Sequence, residues 1–430
     1  MKRSVTVVGG GLAGSETALQ LSSRGISVDL IEMRPGKSSP AHKTPLLAEL
    51  VCSNSLKSKD PNTASGIFKR ELGALNCKLL KVAEESNVPA GHALAVDRDV
   101  FSGRVTELIQ RNPYISVENR EQLDLDLPAC CVIATGPLTS ESLSHSIMEH
   151  FSSEHLFFYD AISISISTDS INTDIAYKAS RYGKGGDDYW NIPFTENVYR
   201  GLVEFLRRAP KVEKRGFEES SCFEACLPVE VIASRGEDAL RFGPMKPKGL
   251  NDPKTGREPY AVLQLRQETI DGTMFGLVGF QTRLTRHSQK ELMRYIPGLE
   301  HAEIMRWGSI HRNTFIESPL LLDEGQMSRE RPGLFFAGQI VGVEGYQESI
   351  AHGLLTALNV ERYLDGLEPL LFPDETLIGG LQRHLINKKL PFQPMNVNFG
   401  LLPPTGGRKR ERKKLAAERS RRRLAEFLRV

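Results

Sequence analysis

The chain has 430 residues, 40% of them hydrophobic and 25% charged, which is enough for two or three domains around a sizeable core and too apolar for a disordered chain. It contains no run of apolar residues long enough for a membrane-spanning helix. The formal net charge of +2 conceals an uneven distribution: residues 408–430 hold eleven Lys/Arg against three Asp/Glu, a segment of +8 on a body of −6, which points to an anionic partner, nucleic acid ahead of membrane.

The N-terminus, MKRSVTVVGGGLAGSETALQL, has the charged start and apolar run of a secretion signal. Its three glycines would break that helix, and they suit a nucleotide-binding turn better. Residues 5–8, VTVV, predict a buried parallel strand; GGGLAG follows at 9–14, then a helix ending at Gly25 and a second strand, ISVDLIE, ending at Glu32. This is a G-x-G-x-x-G fingerprint in strand–helix–strand context, with an acidic residue eighteen positions after the last glycine. Gly9 permits the tight turn, Gly11 lets the backbone approach a pyrophosphate, and Gly14 brings helix and strand together. Gly10, Leu12 and Ala13 complete the loop and the helix start, whose N–H groups suit phosphates, and Glu32 suits the ribose hydroxyls of an adenosine.

Further along, CCVIATGP (130–137) predicts an apolar strand ending in Ala-Thr-Gly. The following long stretch contains a polar β-rich run, AISISISTDS, a Gly-Asp turn, a helix over ENVYRGLVEFLRRA, the cysteine pair of SSCFEACLPVE (220–230) and a strand in MFGLVGFQTRL. An inserted mixed α/β domain is expected over 191–318, carried by a discontinuous domain of 1–190 and 319–430. PGLFFAGQIVGVEGYQESIAHGLLTALNVERYL (332–364) reads as a strand, a Gly-rich turn and a helix, and the tail, 408–430, as a basic helix. That tail is either a solvated helix capping the domain or a contact for nucleic acid phosphates. The six cysteines, Cys52, Cys77, Cys130, Cys131, Cys222 and Cys226, include no CxxC spacing, so a cytoplasmic protein with reduced thiols and no metal site is expected. Spacing alone leaves Cys222 and Cys226 open to metal binding, a disulfide, core packing or nucleophilic attack.

The N-terminal fingerprint, the A-T-G strand and the late F-A-G turn together resemble the two-dinucleotide flavoproteins of the glutathione-reductase class. That resemblance implies FAD, gripped from both ends of an α/β fold, with Gly338 in the late turn. More specific motifs span nearly the whole chain: HKTPLLAELVCSNSLKS (42–58), VPAGHALAVDR (88–98), SRYGKGGDDYWN (180–191), CLPVEVIASRGEDALRFGPMKPKGL (226–250), YAVLQLRQE (260–268), IHRNTFIESP (310–319) and FQPMNVNFGLLPP (392–404). With these the chain resembles the folate- and FAD-dependent tRNA (uracil-5-)-methyltransferases.

The resemblance implies that NAD(P)H reduces FAD, that methylenetetrahydrofolate gives its one-carbon unit to the reduced flavin, and that the flavin carries it to a uracil in the T loop of tRNA. Uracil C5 becomes nucleophilic when a thiolate adds at C6. Cys226 matches the family's proposed nucleophile and Cys52 a second cysteine near the flavin, which leaves Cys77, Cys130 and Cys131 as core. Glu344, Gly345 and Tyr346 fall where the late turn approaches the flavin or folate. His311, Arg312, Lys246 and Lys248 are weaker candidates for substrate or phosphate contact, and His92 stands where the family pattern has a small residue. The alternatives are the same chemistry on a ribosomal-RNA uridine, or a flavoprotein that binds RNA without methyl transfer.

Overall fold

The computed structural model of the chain describes residues 3–39, 41–152, 156–183, 186–212, 227–388, 392–406 and 411–429. The first part runs β1 (Ser4–Val8), α1 (Leu12–Ser22), β2 (Ser27–Glu32), β3 (Ser55–Ser58), α2 (Ala64–Ala74), α3 (Lys78–Glu85), β4 (Asn87–Val88), β5 (Ala93–Val96), α4 (Arg98–Gln110), β6 (Ile115–Asn119), β7 (Cys131–Ile133) and α5 (Glu141–Phe151). There follow β8 (Leu156–Ser167), β9 (Tyr177–Lys178), β10 (Tyr189–Phe194), α6 (Glu196–Arg208), α7 (Val229–Ser234), α8 (Ala239–Phe242), β11 (Ala261–Gln267), β12 (Met274–Gln281), α9 (Arg286–Arg294), β13 (Ile304–Arg306) and β14 (Ser309–Phe315). The chain closes with α10 (Ser318–Leu321), β15 (Leu334–Phe336), α11 (Tyr346–Leu364), α12 (Leu377–Ile386) and α13 (Arg412–Phe427).

The sequence's expectation of an α/β fold with an N-terminal nucleotide unit holds. Five parallel strands stand in the order β15-β7-β1-β2-β6, so the strand nearest the C-terminus joins the sheet begun by the first. Apolar β-branched residues make this possible: Val5, Val7 and Val8 of β1 and Val132 and Ile133 of β7 are buried between layers of helices. The helices after β1 and β15 meet where side chains are absent. A Cβ on Gly353 of α11 would lie 2.3 Å from the Ala13 carbonyl oxygen, and Thr17 of α1 donates to the Gly353 carbonyl at 2.9 Å.

A second, largely antiparallel sheet has the order β13-β8-β12-β11-β10-β9, with β14 also pairing with β8. It covers its own core, which includes Ile166, Phe194, Leu202, Leu263, Leu265 and Leu292. This sheet takes β8 and β9 from upstream of residue 191, so its strands begin at Leu156. A third sheet, β3-β5-β4, lies in the first part of the chain. No helix among the described residues is long and apolar enough to cross a membrane.

Candidate functional site

At the carboxyl ends of β1 and β2 a cleft opens, lined by Gly9, Gly11, Glu32, Arg34, Gln122 and Thr135. Gly9 has φ +102°, and a Cβ there would come within 2.7 Å of the Ala134 carbonyl oxygen. On Gly14 a Cβ would lie 1.9 Å from the Gly9 oxygen; on Gly10 it would meet Leu47 and the Glu32 carboxylate. Gly11 differs, because a Cβ there meets nothing within 4 Å. The missing side chain at Gly11 therefore leaves space in the cleft, whereas at the other three it permits packing. The residue before α1 is Gly11, which offers no side-chain cap, so the first N–H groups of the helix remain available to an anion.

Glu32 is buried, and its carboxylate accepts from Gly10 N (2.8 Å), Arg34 N (3.1 Å) and Arg34 Nε (2.8 Å). Burial alone would push Glu32 up, but the hydrogen bonds and charge of Arg34, with the Gly10 N–H, hold it below the ordinary glutamate value. A carboxylate has about four lone-pair sites, so one remains for a ribose hydroxyl. Arg34, itself fully buried, also donates to Leu46 O at 2.7 Å and pairs with Glu49 at 3.3 Å. Open space at Gly11, uncapped helix N–H groups and a carboxylate with one site left fit the adenosine and pyrophosphate of a dinucleotide.

The late turn lies against the same helix. Gly338 has φ +83°, its absent Cβ would sit 2.6 Å from that of Ala13, and its N–H donates to His352 Nδ1 at 3.2 Å. Burial pulls His352 down to about 3, so the ring is neutral and able to accept that bond. Glu344 is buried and accepts from Gln339 Nε2, while its N–H donates to Met395 O at 2.9 Å. Gly345, at φ +109°, lies close to Glu348 and Lys57; a Cβ would come within 2.5 Å of the first and 2.9 Å of the second.

Tyr346, at the head of α11, accepts hydrogen bonds at its hydroxyl from Cys52 N (2.7 Å) and Ser53 N (3.0 Å), across almost the whole length of the sequence. Burial, reinforced by the Cys52 thiol nearby, raises its pKa far above the phenol range and keeps it neutral. Two residues beyond Cys52, Asn54 accepts from Arg266 Nε at 2.8 Å and donates to Gln267 O at 2.9 Å. The alternation of β11 explains this: Leu263 and Leu265 enter the second core, so Gln264, Arg266 and Glu268 project from the opposite face. Glu268 takes Arg98 at 2.8 Å and Ser165 at 2.9 Å, both side chains of the Arg98–Glu268 pair being at least 95% buried. Burial pulls the Arg266 guanidinium below its ordinary value, with Glu268, Tyr189 and Cys52 acting against it. The half-buried Cys52 is thus held, through its backbone and through Asn54, between the late helix and a polar row on the second sheet.

Of the residues singled out from sequence, the structure gathers Gly9 to Gly14 with Glu32 and Gly338, and Cys52 with Tyr346. Cys222 and Cys226 lie outside the described residues. Directly after them, Leu227 is buried and α7 is fixed by Glu230, which accepts from Thr282 Oγ1 and Arg283 N at 2.9 Å each. His311 and Arg312 lie on β14, in register with Asp160 and Tyr159. Lys246 and Lys248 are exposed on a loop, and His92 Nδ1 stands 3.8 Å from Asp60 on the surface. Cys77 and Cys131 are buried and Cys130 partly so, with burial pushing the Cys130 thiol up to about 12 and Cys131 to about 11. None of these three, nor Cys52, is in a disulfide, and no described group of His, Cys, Asp and Glu is arranged to hold a metal ion. Sequence reasoning missed Arg34, Asn54, Arg98, Arg266 and Glu268. The period-two pattern of YAVLQLRQE was the signal for the last two, since it separates their face from the core face.

The family model described as "Glucose inhibited division protein A" matches residues 4–368. The protein named "Methylenetetrahydrofolate--tRNA-(uracil-5-)-methyltransferase TrmFO" from Natranaerobius thermophilus is 50% identical over 427 residues, which is 99% of this chain and 99% of that one. The protein of the same name from Myxococcus xanthus is 49% identical over 426 residues, covering 98% of this chain and 93% of that one. Among solved structures, Aquifex aeolicus GidA superposes with a TM-score of 0.74 at 18% identity, covering 100% of this chain and 73% of that chain, a likeness of fold. The chain belongs to the methylenetetrahydrofolate--tRNA-(uracil-5-)-methyltransferase family, within the wider family of glucose inhibited division protein A.

Proposed function

We propose that this protein methylates C5 of a uridine in the T loop of tRNA, with methylenetetrahydrofolate as carbon donor, FAD as bound cofactor and NAD(P)H as reductant. The relatives' names support the folate and tRNA parts of this reading. The observation that carries it in the structure is the pinning of Cys52 by the Tyr346 hydroxyl, which brings a thiol from the first part of the chain to the head of the late helix. Glu32, Arg34 and the N-terminus of α1 would hold the adenosine end of FAD, and Gly338, Glu344, Gly345 and Tyr346 its flavin end. Bound there, FAD supplies reducing power and carriage of the one-carbon unit.

The remaining chemistry falls to side chains. Cys226 adds to uracil C6, converting the ring to an enolate whose C5 attacks the one-carbon unit, and leaves as a thiolate when a base removes the C5 proton. It directly precedes the buried Leu227 in the sequence. Cys52, beside Arg266 and Tyr346, serves the reaction as a second thiol. The target base must leave its stack to reach either thiol. The corresponding domain division is a cofactor domain of 1–190 and 319–430 and an inserted domain of 191–318, with the sheet of the inserted part reaching back to Leu156.

Cys226→Ala should retain FAD, read by absorbance of the purified protein, and form no 5-methyluridine on unmodified tRNA. A normal rate in that variant would remove the nucleophile from Cys226. Conversion of ribosomal RNA in place of tRNA would assign the same chemistry to the other substrate, and binding without conversion of either RNA would leave a flavoprotein RNA binder.

A further inference from the structure

One cleft of the second part of the chain belongs neither to the cofactor site nor to the Cys52 junction. Tyr182, Asp187, Gly249, Asn251 and Glu258 line it, together with Ser180. Tyr182 is 62% exposed, a large aromatic surface left in water. Its backbone is left-handed, with φ +57° and ψ 24°, a conformation unfavourable for a residue with a bulky aromatic side chain. Two interactions hold it there. Its N–H donates to Gly249 O at 2.9 Å, and its ring lies over Gly249, where a Cβ would fall within 2.7–2.9 Å of the ring carbons. Gly249 also has φ +83°, so both its conformation and its lack of a side chain are required. The ring is therefore backed by main chain and open on the solvent side.

The preceding residue ties this platform to the site. Arg181 donates through Nε to Gln264 Oε1 at 2.8 Å and through its terminal nitrogen to Lys248 O at 3.0 Å, and Gln264 donates to Asn191 Oδ1 at 2.9 Å. Gln264 stands one step before Arg266 on the polar face of β11, ~7 Å along the strand from the arginine beside Cys52. Burial pulls the Arg181 guanidinium down, against Tyr182, Tyr177 and Glu258, and the Tyr177 hydroxyl near it is buried without a hydrogen-bond partner among the described residues. Lys248 and Arg257, the sequence neighbours of the lining residues Gly249 and Glu258, are exposed. An open aromatic face, amide and carboxylate groups at its edge and two exposed cations next to lining residues form the combination that holds an unstacked base and its phosphates.

The geometry points to a nucleobase subsite at Tyr182, which takes a base of the RNA substrate other than the one methylated, stacked on the open face of the ring with Asn251, Asp187 and Glu258 at its polar edge. This inference rests on RNA being the substrate. It adds a binding point distinct from the thiols, whose purpose is to hold the loop while the target base is reached.

The test compares wild type, Tyr182→Ala, Tyr182→Phe and Tyr182→Trp by fluorescence anisotropy on a labelled unmodified tRNA, with FAD content and the KM for methylenetetrahydrofolate measured in parallel. Tyr182→Ala should weaken RNA binding about tenfold, the loss of one stacked base. Phe and Trp should restore it, while FAD content and folate KM stay at wild-type values in all three. Equal RNA affinity across the series overturns the subsite, and so does a loss in Tyr182→Ala that neither aromatic variant restores. A rise in folate KM with RNA binding intact would give the cleft to the folate and likewise overturn it. Because binding is read without turnover, a wild type that binds RNA but forms no 5-methyluridine ends the methylation reading and leaves the subsite standing or falling on the series, whereas a wild type that binds no RNA ends both.

Discussion

Lys69 is a buried cation whose surroundings define a pH dependence. Its Nζ lies 2.5 Å from Leu56 O, 3.1 Å from Ser58 O, 2.8 Å from Ser65 Oγ and 2.6 Å from Gln347 Oε1, four acceptors for the three protons of an ammonium. It thereby joins β3, which follows the Cys52 loop, to the residue after Tyr346. Burial nevertheless pulls it from 10.5 to about 7, with Glu348 pulling the other way and Lys57 adding to the fall. Between those two values the unfolded chain holds a proton that the native protein has released, so stability from this group rises with pH across that window. Below about pH 7 the cost of burying the charge is present in full. In urea titrations, stability of the wild type relative to Lys69→Met should therefore climb between about pH 7 and 9, by at most about 1.4 kcal/mol per pH unit. Parallel curves for the two proteins would show that Lys69 is not the titrating group. Nothing in the local sequence announced this residue, because the contact that closes its site comes from Gln347, 278 positions along the chain.

At the scale of elements, the glycines of the first turn separate into two kinds. Gly14 is required by packing, since a Cβ would sit 1.9 Å from the Gly9 carbonyl oxygen, whereas Gly11 has open space around it. Gly14→Ala should accordingly force α1 away from β1 and lower the melting temperature even of cofactor-free protein. Gly11→Ala should leave the cofactor-free protein as stable as wild type and weaken FAD binding, because its methyl group occupies the space where the pyrophosphate is expected to pass. Melting of both variants with FAD removed, followed by FAD titration, checks the contrast; equal destabilisation without cofactor would contradict it. These roles were legible because a tight turn and a close approach are local demands that only glycine meets. The polar run AISISISTDS was harder to place: its alternation signals a strand, but its pairing with β12, which puts it in the second sheet, depends on residues about a hundred positions later. Arg98 and Glu268 were invisible as a pair for the same reason, since no pattern in either segment names the other.

At the scale of the molecule, the basic tail combines docking with exposed charge. α13 buries Ala416, Ala417, Ser420 and Leu424, and Ser420 donates to Glu71 Oε1 at 2.5 Å. The same carboxylate accepts from Leu377 N and Ile378 N at 2.9 Å each, so it caps α12 while receiving the tail. Arg419 reaches the Pro403 and Pro404 carbonyl oxygens, and Arg423 lies 3.3 Å from Glu375. Removing the whole tail would uncover Glu71 and loosen α12, mixing a folding defect with any loss of binding. The cleaner probe is the outward face, where the Lys414 and Arg422 side chains are 76% and 70% exposed and Arg421 is exposed beside them. If this face meets RNA phosphates, the triple variant Lys414→Gln, Arg421→Gln, Arg422→Gln should melt like wild type and bind tRNA less tightly at low salt. Its plot of log affinity against log salt should be shallower by about 0.7–0.9 for every phosphate the variant leaves unneutralised, since each phosphate paired with a cation releases condensed counterion. A slope equal to that of wild type, measured from about 50 to 200 mM salt, would make the tail a structural cap whose charge serves no RNA contact.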